Sequence, residues 1–240
     1  MASSARLLLA GLSLLSVFSG CAERSILVES PEPLRCPDVP LVHTGEATFY
    51  TFASGAGACM FDSTPNDLLV GALNPFDYAG SALCGACLRV SGPKGEVNIR
   101  VVDLCPECPK GNIDLSPLAF SLIGDTALGH VPISWFILDC SYRAPIVYHF
   151  KDGSSQWWTA VQIRNSRYPI ATLEYLNASR QFAAIHRVDY NYFIEPSGMG
   201  PGPYTFRVTD AFGHMLVDSA IALSVNGDVP GRAQFPPCGQ

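Results

Sequence analysis

Short apolar runs separated by glycine, proline and polar residues dominate the chain from Gly45 onward. In the first half these runs are EATFYTF, ACLRV, EVNIRVVDL and ISWFILDCS. Runs of this length, rich in β-branched and aromatic residues and divided by turn residues, are typical of strands. The pattern therefore predicts a small β-barrel between Gly45 and about Tyr142.

One segment in this region has helical rather than strand-like spacing. Ser116 can cap the amino end of a helix, Pro117 suits its first turn, and LAFSLI supplies an apolar face. Gly124 is placed to end it. We expect one short helix after the VVDL and NIDL segments.

The pattern changes around Arg143, Ala144 and Pro145. From Ile146 the runs VYHF, WTAVQIR, IATLEYL, FAAIHRV, YTFRVTD and HMLVDSAIAL recur between turn signals. Such a series predicts an all-β sandwich. The two halves show no common repeat, so the sequence indicates two β domains joined by a very short segment.

Two of the three tryptophans of the chain are neighbours in SSQWWTAVQI. Strict strand alternation would point Trp157 inward with Val161 and Ile163, and Trp158 outward with Gln162. A large flat ring exposed to water is a surface that sugar rings can cover. The pair is therefore a candidate carbohydrate-binding feature.

The first twenty residues have the features of an export signal. A single arginine precedes a short apolar stretch, and small residues stand before Cys21. The small pair before Cys21 resembles a bacterial lipoprotein box, which would make this cysteine a lipidated first residue. Because Phe18 replaces the usual leucine, secretion with a free amino terminus stays open. Residues 21–42 are proline-rich and predict a tether held at Cys36.

Composition and charge narrow the class of partner. The 240 residues carry a formal charge of -6, and removal of residues 1–20 takes away one arginine and makes it -7. Nucleic acid is not expected to bind a chain with this balance. After residue 20 the sequence has no apolar stretch long enough to cross a membrane, so a lipid at Cys21 would be its link to one.

The other eight cysteines could form disulfides or a zinc site. Cys84, Cys87, Cys105 and Cys108 are spaced as in a four-cysteine zinc site. Export into an oxidising space favours disulfides instead, so we predict no metal and no other cofactor. Neither CxxC pair opens a helix after a strand, which argues against thioredoxin-like redox chemistry.

Asp103 and Asp114 could face one groove, because a cysteine-closed loop lies between them. Paired carboxylates are what glycoside cleavage requires. Alternatively, either residue could cap a helix or a turn. Because Asp114 precedes the capped helix start, the helix dipole is expected to stabilise its anion.

The chain resembles an expansin, and the bacterial two-domain form most closely. The resemblance rests on ordered blocks from residue 45 to 237: GEATFYTFASGAGACM, NPFDYAGSALCGACLRVSGPKGEV, VVDLCPECPKGNIDLSPLAFSLIG, GSSQWWTAVQIRNSRYPI, DYNYF and QFP. It implies a six-stranded double-psi β-barrel over residues 43–143 and an immunoglobulin-like β-sandwich over residues 144–240. Together the two domains would form one polysaccharide-binding face.

The resemblance also implies which residues carry the function. The conserved polar groove falls on Thr48, Asp103 and Asp114, with Asp114 as the essential acid. The aromatic platform falls on Trp157, Trp158 and Tyr190, with Lys151 beside it. For both tryptophans to face a sugar, the backbone before Thr159 must depart from strict alternation, through a bulge or a strand that begins only at Trp158.

Two departures from the family pattern affect the groove. Related glycoside hydrolases with this barrel carry a catalytic base where this chain has Thr51, and an acid alone gives little hydrolysis. Bacterial members often have a tyrosine where this chain has Cys105. The cysteines resemble the plant form, which implies Cys59 with Cys84 and Cys87 with Cys140. The remaining pairs are Cys105 with Cys108 and Cys36 with Cys238.

The resemblance implies an exported, monomeric, non-enzymatic protein that binds cellulose and related wall glucans and loosens contacts between glucan chains. Two alternatives stay open at this point. One is a glycan-cleaving enzyme on the same barrel, either an endoglucanase or a lytic transglycosylase acting on peptidoglycan. The other is a plain carbohydrate-binding adhesin in which only the second domain matters.

Overall fold

The computed structural model of the protein describes residues 36, 40–51 and 53–238. The predicted signal peptide over residues 1–20, Cys21 and most of the predicted tether lie outside the described residues. Within the described segments, no helix has both the length and the apolarity needed to cross a membrane.

The first half of the described chain forms a closed barrel in the strand order β1-β5-β2-β4-β3-β6. Its strands are β1 (His43–Phe49), β2 (Val70–Leu73), β3 (Cys87–Gly92), β4 (Gly95–Leu104), β5 (Ile113–Leu115) and β6 (Val131–Leu138). The pairs β1–β5 and β2–β4 are parallel, and the other pairs are antiparallel. Alternating side chains, with Leu88, Ile99 and Trp135 among them, fill the interior.

Two short helices lie against this barrel. Helix α1 (Pro75–Tyr78) is capped by Asn74, and helix α2 (Pro117–Ile123) is capped by Ser116, whose hydroxyl accepts from the Ala119 amide at 3.1 Å. Helix α2 ends at Gly124 and buries Ala119, Phe120 and Ile123, as its sequence predicts. A 3₁₀ turn follows at Thr126–Leu128.

The second half forms eight strands in the order β13-β12-β9-β10-β11-β8-β7-β14. They are β7 (Val147–Phe150), β8 (Thr159–Arg164), β9 (Ile170–Leu176), β10 (Phe182–Arg187), β11 (Phe193–Glu195), β12 (Tyr204–Asp210), β13 (Met215–Ile221) and β14 (Gly227–Pro230). The strands around β7 pack face to face with those around β12. In this interface Tyr148 of β7 stacks on Phe206 of β12, with ring centroids 5.1 Å apart. This is the sandwich that the sequence pattern predicts.

The barrel covers one face of this sandwich. The Gln162 amide donates to the carbonyl of Cys59 at 2.9 Å, and the Asn191 amide donates to the same carbonyl at 3.2 Å. Tyr78 and Ser81 donate to backbone carbonyls of the turn after β10. The prediction that Gln162 points to solvent is therefore wrong, since the barrel occupies that side and Gln162 is fully buried.

Eight cysteines of the described chain form four disulfides. The pairs are Cys36–Cys238, Cys59–Cys84, Cys87–Cys140 and Cys105–Cys108. Cys59–Cys84 and Cys87–Cys140 are the pairs that the resemblance implies, and the other two are the pairs that then remained. The four residues with zinc-like spacing are divided among three different disulfides, so their thiolates are not free for a metal.

Candidate functional site

A row of polar side chains crosses the barrel at the level of Thr48. Thr48 pairs with Asp114 between β1 and β5, and Ala72 of β2 pairs with both Asp114 and Asp103. Residues in register on adjacent strands point to the same face. The row thus places Thr48, Asp114 and Asp103 on one face, with Ala72 as a small, buried spacer between the two carboxylates.

The Asp114 carboxylate is half-buried and accepts a 2.6 Å hydrogen bond from the Thr48 hydroxyl. Burial raises the pKa of Asp114 above its ordinary value, the Thr48 hydrogen bond opposes that rise, and the nearby charges of Glu107 and Asp103 add to it. The expectation that the dipole of α2 stabilises the anion is wrong in its net direction. Asp114 lies two residues before the cap, and the Ser116 hydroxyl already takes the Ala119 amide, so burial dominates.

Asp103 has a different set of partners from Asp114. Its Oδ1 accepts from the amide of Ala58 at 2.6 Å and from its neighbour Leu104 at 2.8 Å. Gly57 packs so closely that a Cβ there would lie 2.5 Å from Asp103 Cγ. Asp103 therefore fixes the loop that leads to Cys59, and one of its oxygens is already committed to two amides.

Tyr50 lies beside these carboxylates, and the sequence analysis did not assign it to the groove. Its amide donates to the Leu115 carbonyl at 3.1 Å, which extends the β1–β5 pairing by one residue. Burial and the charges of Asp103 and Asp114 raise its pKa to about 12. Its hydroxyl is buried and has no hydrogen-bond partner among the described residues. The signal that could have identified it is its spacing of two residues from Thr48.

The two departures from the family pattern lie near this row. Thr51 is exposed in a turn directly after Tyr50, so the position given to a hydrolase base carries a hydroxyl. Cys105 is buried and joined to Cys108. The short loop that this disulfide closes lies between β4, which ends after Asp103, and β5, which carries Asp114.

The two tryptophans lie in a turn before β8, not in the strand. The Ser155 amide donates to the Trp158 carbonyl at 2.7 Å, and the Thr159 hydroxyl donates to the Ser155 carbonyl at 2.9 Å. Trp157 is 74% exposed and Trp158 is partly exposed. The alternation that would bury Trp157 does not apply, because β8 begins at Thr159.

A second loop supports this tryptophan turn from behind. Gly198 has φ +72°, and a Cβ there would lie 2.1 Å from the Gln156 carbonyl oxygen and 2.5 Å from the carbonyl carbon of Trp157. The amide of Gly200 donates to the same Gln156 oxygen at 3.1 Å. Only glycine combines this backbone conformation with this close approach. No pattern in the sequence assigned a role to Gly198.

Lys151 and Tyr190 are linked through Tyr192. The Lys151 ammonium lies 5.6 Å from the centroid of the Tyr192 ring, and the rings of Tyr190 and Tyr192 are 6.0 Å apart. Tyr190 is 38% exposed, whereas Tyr192 is buried. The Tyr78 hydroxyl of the barrel donates to the carbonyl of Asp189 at 2.7 Å. The turn that presents Tyr190 is thus attached to the barrel as well as to the sandwich.

The barrel matches a known family, and the whole chain matches characterised relatives. Residues 70–135 match the family described as "Lytic transglycolase". Expansin-YoaJ of Bacillus subtilis is 35% identical over 232 residues, which cover 93% of this chain and 98% of that protein. Expansin-like protein 1 of Dictyostelium discoideum is 29% identical and covers 75% of this chain and 68% of its own length.

Solved structures give the same result. The chain superposes on the crystal structure of the Clavibacter michiganensis expansin with a TM-score of 0.76 and 33% identity, covering 82% of this chain and 99% of that one. A mutant of that expansin, described as a complex with cellohexaose, superposes with the same TM-score at 32% identity. The match extends over both the barrel and the sandwich.

Proposed function

Because this chain belongs to the expansin family, we propose that it binds cellulose and loosens cell walls by disturbing non-covalent contacts between glucan chains, without cutting them. The observation that carries the proposal is the combination of two features in one body: the Thr48–Asp114 pair on the barrel and the exposed tryptophan turn on the sandwich. The related expansin described with cellohexaose supports a glucan as the ligand.

The tryptophan turn provides the binding energy in this proposal. Flat glucan chains present the apolar faces of their sugar rings, which aromatic rings can cover. At about 25 cal/mol per Å², covering about 100 Å² of Trp157 contributes about 2.5 kcal/mol. Trp158, Tyr190 and Lys151 extend the contact as the other parts of the proposed platform.

The groove supplies an acid without a matching base. Burial raises the pKa of Asp114, so its protonated form, which can donate a hydrogen bond to a glucan oxygen, is more populated than that of an exposed aspartate. Glycoside hydrolysis also needs a carboxylate that activates water or attacks the sugar. One oxygen of Asp103 already accepts from two amides, and Thr51 carries a hydroxyl at the position given to a hydrolase base. We infer that binding of the glucan leads to separation of glucan chains and not to hydrolysis of their glycosidic bonds.

The same proposal covers where the protein acts. Residues 1–20 would direct export, and Cys21 would be either a lipidated anchor or the start of a freely secreted tether. The disulfides fit an oxidising compartment. We propose that the exported protein acts on extracellular wall polymers as a monomer.

A second candidate function follows from the family that the barrel matches. That family is described as "Lytic transglycolase", so the second candidate is a lytic enzyme on the same barrel, with peptidoglycan as its proposed substrate. Such an enzyme would need the barrel groove and would release sugar, whereas the proposed loosening would not.

One experiment separates these functions. Purified protein is incubated with cellulose and with peptidoglycan, and bound fraction, mechanical weakening of cellulose paper and released sugar are measured for each of three variants. Asp114→Asn should keep cellulose binding and lose weakening; the double change Trp157→Ala with Trp158→Ala should lose binding. Asp67→Asn, an exposed barrel aspartate, should behave as wild type.

No preparation should release sugar above background from either polymer. Sugar release by the wild type that disappears in Asp114→Asn would instead identify a hydrolase or lytic enzyme. Full weakening by Asp114→Asn would leave this residue without the proposed role. Unchanged binding by the double tryptophan variant would remove the platform.

A further inference from the structure

The junction of barrel and sandwich contains a cavity of about 180 Å³ that none of the proposed groove or platform residues lines. Three arginines reach it from both halves of the protein: Arg100 of β4, Arg164 of β8 and Arg187 of β10. Asp62 is the carboxylate that lines it among the described residues. The cavity is therefore strongly cationic, although the chain as a whole carries a charge of -6.

Arg164 has its charge partner, and the other two arginines do not. Arg164 Nη1 donates to Asp62 at 2.7 Å and lies 3.5 Å from Asp228. Arg187 donates to the backbone carbonyls of Ser81 and Ile170 and has no carboxylate within ion-pair distance in the described chain. Burial lowers its pKa to about 10, and no opposing carboxylate offsets that shift.

Arg100 also lacks a carboxylate partner among the described residues. Its Nη2 donates to the Thr64 hydroxyl at 3.2 Å, while its Nε is buried and bonds to no described residue. A buried donor left unsatisfied is unfavourable, and the Arg100 guanidinium, which lines the cavity, has no carboxylate among the described residues to offset its charge. An anion bound in the cavity would offset this charge.

The remaining walls suit the body of a ligand that is more than a bare ion. The Arg100 guanidinium lies 5.4 Å from the centroid of the Phe61 ring, and that of Arg187 lies 4.7 Å from the Phe193 ring. Ile163 adds an apolar side chain to the lining. Aromatic and aliphatic walls with a few convergent cations fit an organic carboxylate, whose ring contacts the apolar wall while its charge meets the arginines.

We propose that this cavity binds the carboxylate of a uronic acid, as a second carbohydrate site distinct from the cellulose face. The carboxylate would lie against the guanidinium groups of Arg100 and Arg187, which both line the cavity. The choice of a uronic acid among organic carboxylates rests on the proposed function, since a wall-binding protein meets acidic sugars. Such a site would also offset the repulsion between an acidic polysaccharide and an acidic protein.

The test is a titration of the full chain with galacturonic acid, followed by amide and guanidinium chemical shifts and by calorimetry. Galactose and inorganic phosphate serve as the neutral and the non-carboxylate probes. We expect saturable shifts at Arg100, Phe61 and Phe193 with galacturonic acid, weaker binding of phosphate and none of galactose. Arg100→Gln should weaken galacturonic acid binding by about tenfold or more, because one charge-assisted contact is lost.

Arg89→Gln is the matched control, since Arg89 is a barrel arginine that pairs with Glu96 outside the cavity. It should bind galacturonic acid as wild type does. If Arg100→Gln does not fold, Arg100→Lys replaces it and should also weaken binding, because lysine keeps the charge without the guanidinium fork.

Several results would overturn the proposal. They are the absence of galacturonic acid shifts in the wild type, or shifts confined to the tryptophan turn. Wild-type affinity for galacturonic acid in the Arg100 variant, or tighter binding of phosphate than of galacturonic acid, would also overturn it. Cellulose binding is measured on the same samples and should not change in Arg100→Gln. If the wild type does not bind cellulose, the proposed function is contradicted. The galacturonic acid titration would still test the cavity site independently.

Discussion

At the scale of single residues, the Thr48–Asp114 hydrogen bond opposes the effect of burial on the acid. Spacing around the cysteine-closed loop pointed to Asp114, whereas Thr48 was selected only through the resemblance. The sequence could not give the direction of the Asp114 pKa shift. That direction depends on how much of the carboxylate the folded barrel covers, which is a tertiary property. Tyr50 was missed although its spacing of two residues from Thr48 could have identified it.

The hydrogen bond leads to a prediction about pH. Thr48→Val removes the donor that lowers the pKa of Asp114, so this pKa should rise further in the variant. A raised folded-state pKa means that the stability contributed by the proton is present at low pH and is lost as the pH rises through the folded pKa. The variant should therefore lose more stability toward neutral pH than the wild type does.

The measurement is a carboxyl-carbon NMR titration of Asp114, with unfolding midpoints recorded across the same pH range. Thr51→Val is the control, because Thr51 is exposed and lies only three residues away. A titration midpoint for Thr48→Val at or below that of the wild type would show that the hydrogen bond does not hold the carboxylate in its anionic form.

At the scale of elements, most strands and helix α2 were predictable and three features were not. Strands β2, β5, β11 and β14, which none of the apolar runs indicated, have only three or four residues, too few for a clear period in the sequence. The start of β8 at Thr159 was not predictable because the turn before it is fixed by a remote loop around Gly198. The prediction that Gln162 points to solvent was wrong because the alternation of a strand does not show what packs on its second face.

The contact between Gly198 and the tryptophan turn yields a matched pair of substitutions. Gly198→Ala adds a Cβ that meets the Gln156–Trp157 backbone, so the turn must shift and cellulose binding should fall severalfold. Gly200→Ala carries a similar backbone penalty, because Gly200 has φ +82°, but its Cβ would meet nothing within 4 Å. It should lose some stability and keep cellulose binding.

Binding isotherms on cellulose and thermal unfolding are measured for both variants. The difference in binding between them isolates the contact from the backbone strain that they share. Equal binding by the two variants would mean that the position of the tryptophan turn does not depend on Gly198.

At the scale of the whole molecule, the carbonyl of Cys59 joins the two halves. This carbonyl accepts from the Gln162 and Asn191 side chains of the sandwich, while the Cys59 side chain is bonded to Cys84 of the barrel. The two-part organisation was predictable from the change of pattern near Pro145. The polar junction was not predictable, because its two donors and their acceptor lie in three distant segments that no pattern along the chain relates to one another.

Gln162→Leu tests this junction. The substitution keeps the size of the side chain and removes the donor to Cys59 and the acceptor of the Arg164 Nε hydrogen bond. Loss of these buried contacts should cost about 1–3 kcal/mol of the free energy of unfolding. The change should appear as a lower denaturation midpoint and faster proteolysis near residue 143.

Gln181→Leu is the comparison, since Gln181 is exposed and a surface substitution of this kind changes stability by about 0.5 kcal/mol or less. An unchanged denaturation midpoint for Gln162→Leu would show that the junction does not contribute to the free energy of unfolding, although it links the barrel to the sandwich.

The Cys36–Cys238 disulfide determines how a mechanical pull travels through the protein. Tension applied on the amino-terminal side of Cys36 crosses one covalent bond to Cys238, 202 positions further along the chain. From there it enters the sandwich directly, because the Cys238 amide donates to the hydroxyl of buried Tyr168. Force between a fixed amino terminus and a wall held by the tryptophan turn would therefore have a covalent path into the sandwich that does not pass through the barrel. The Thr48–Asp114 pair would keep its geometry while the sandwich is stretched.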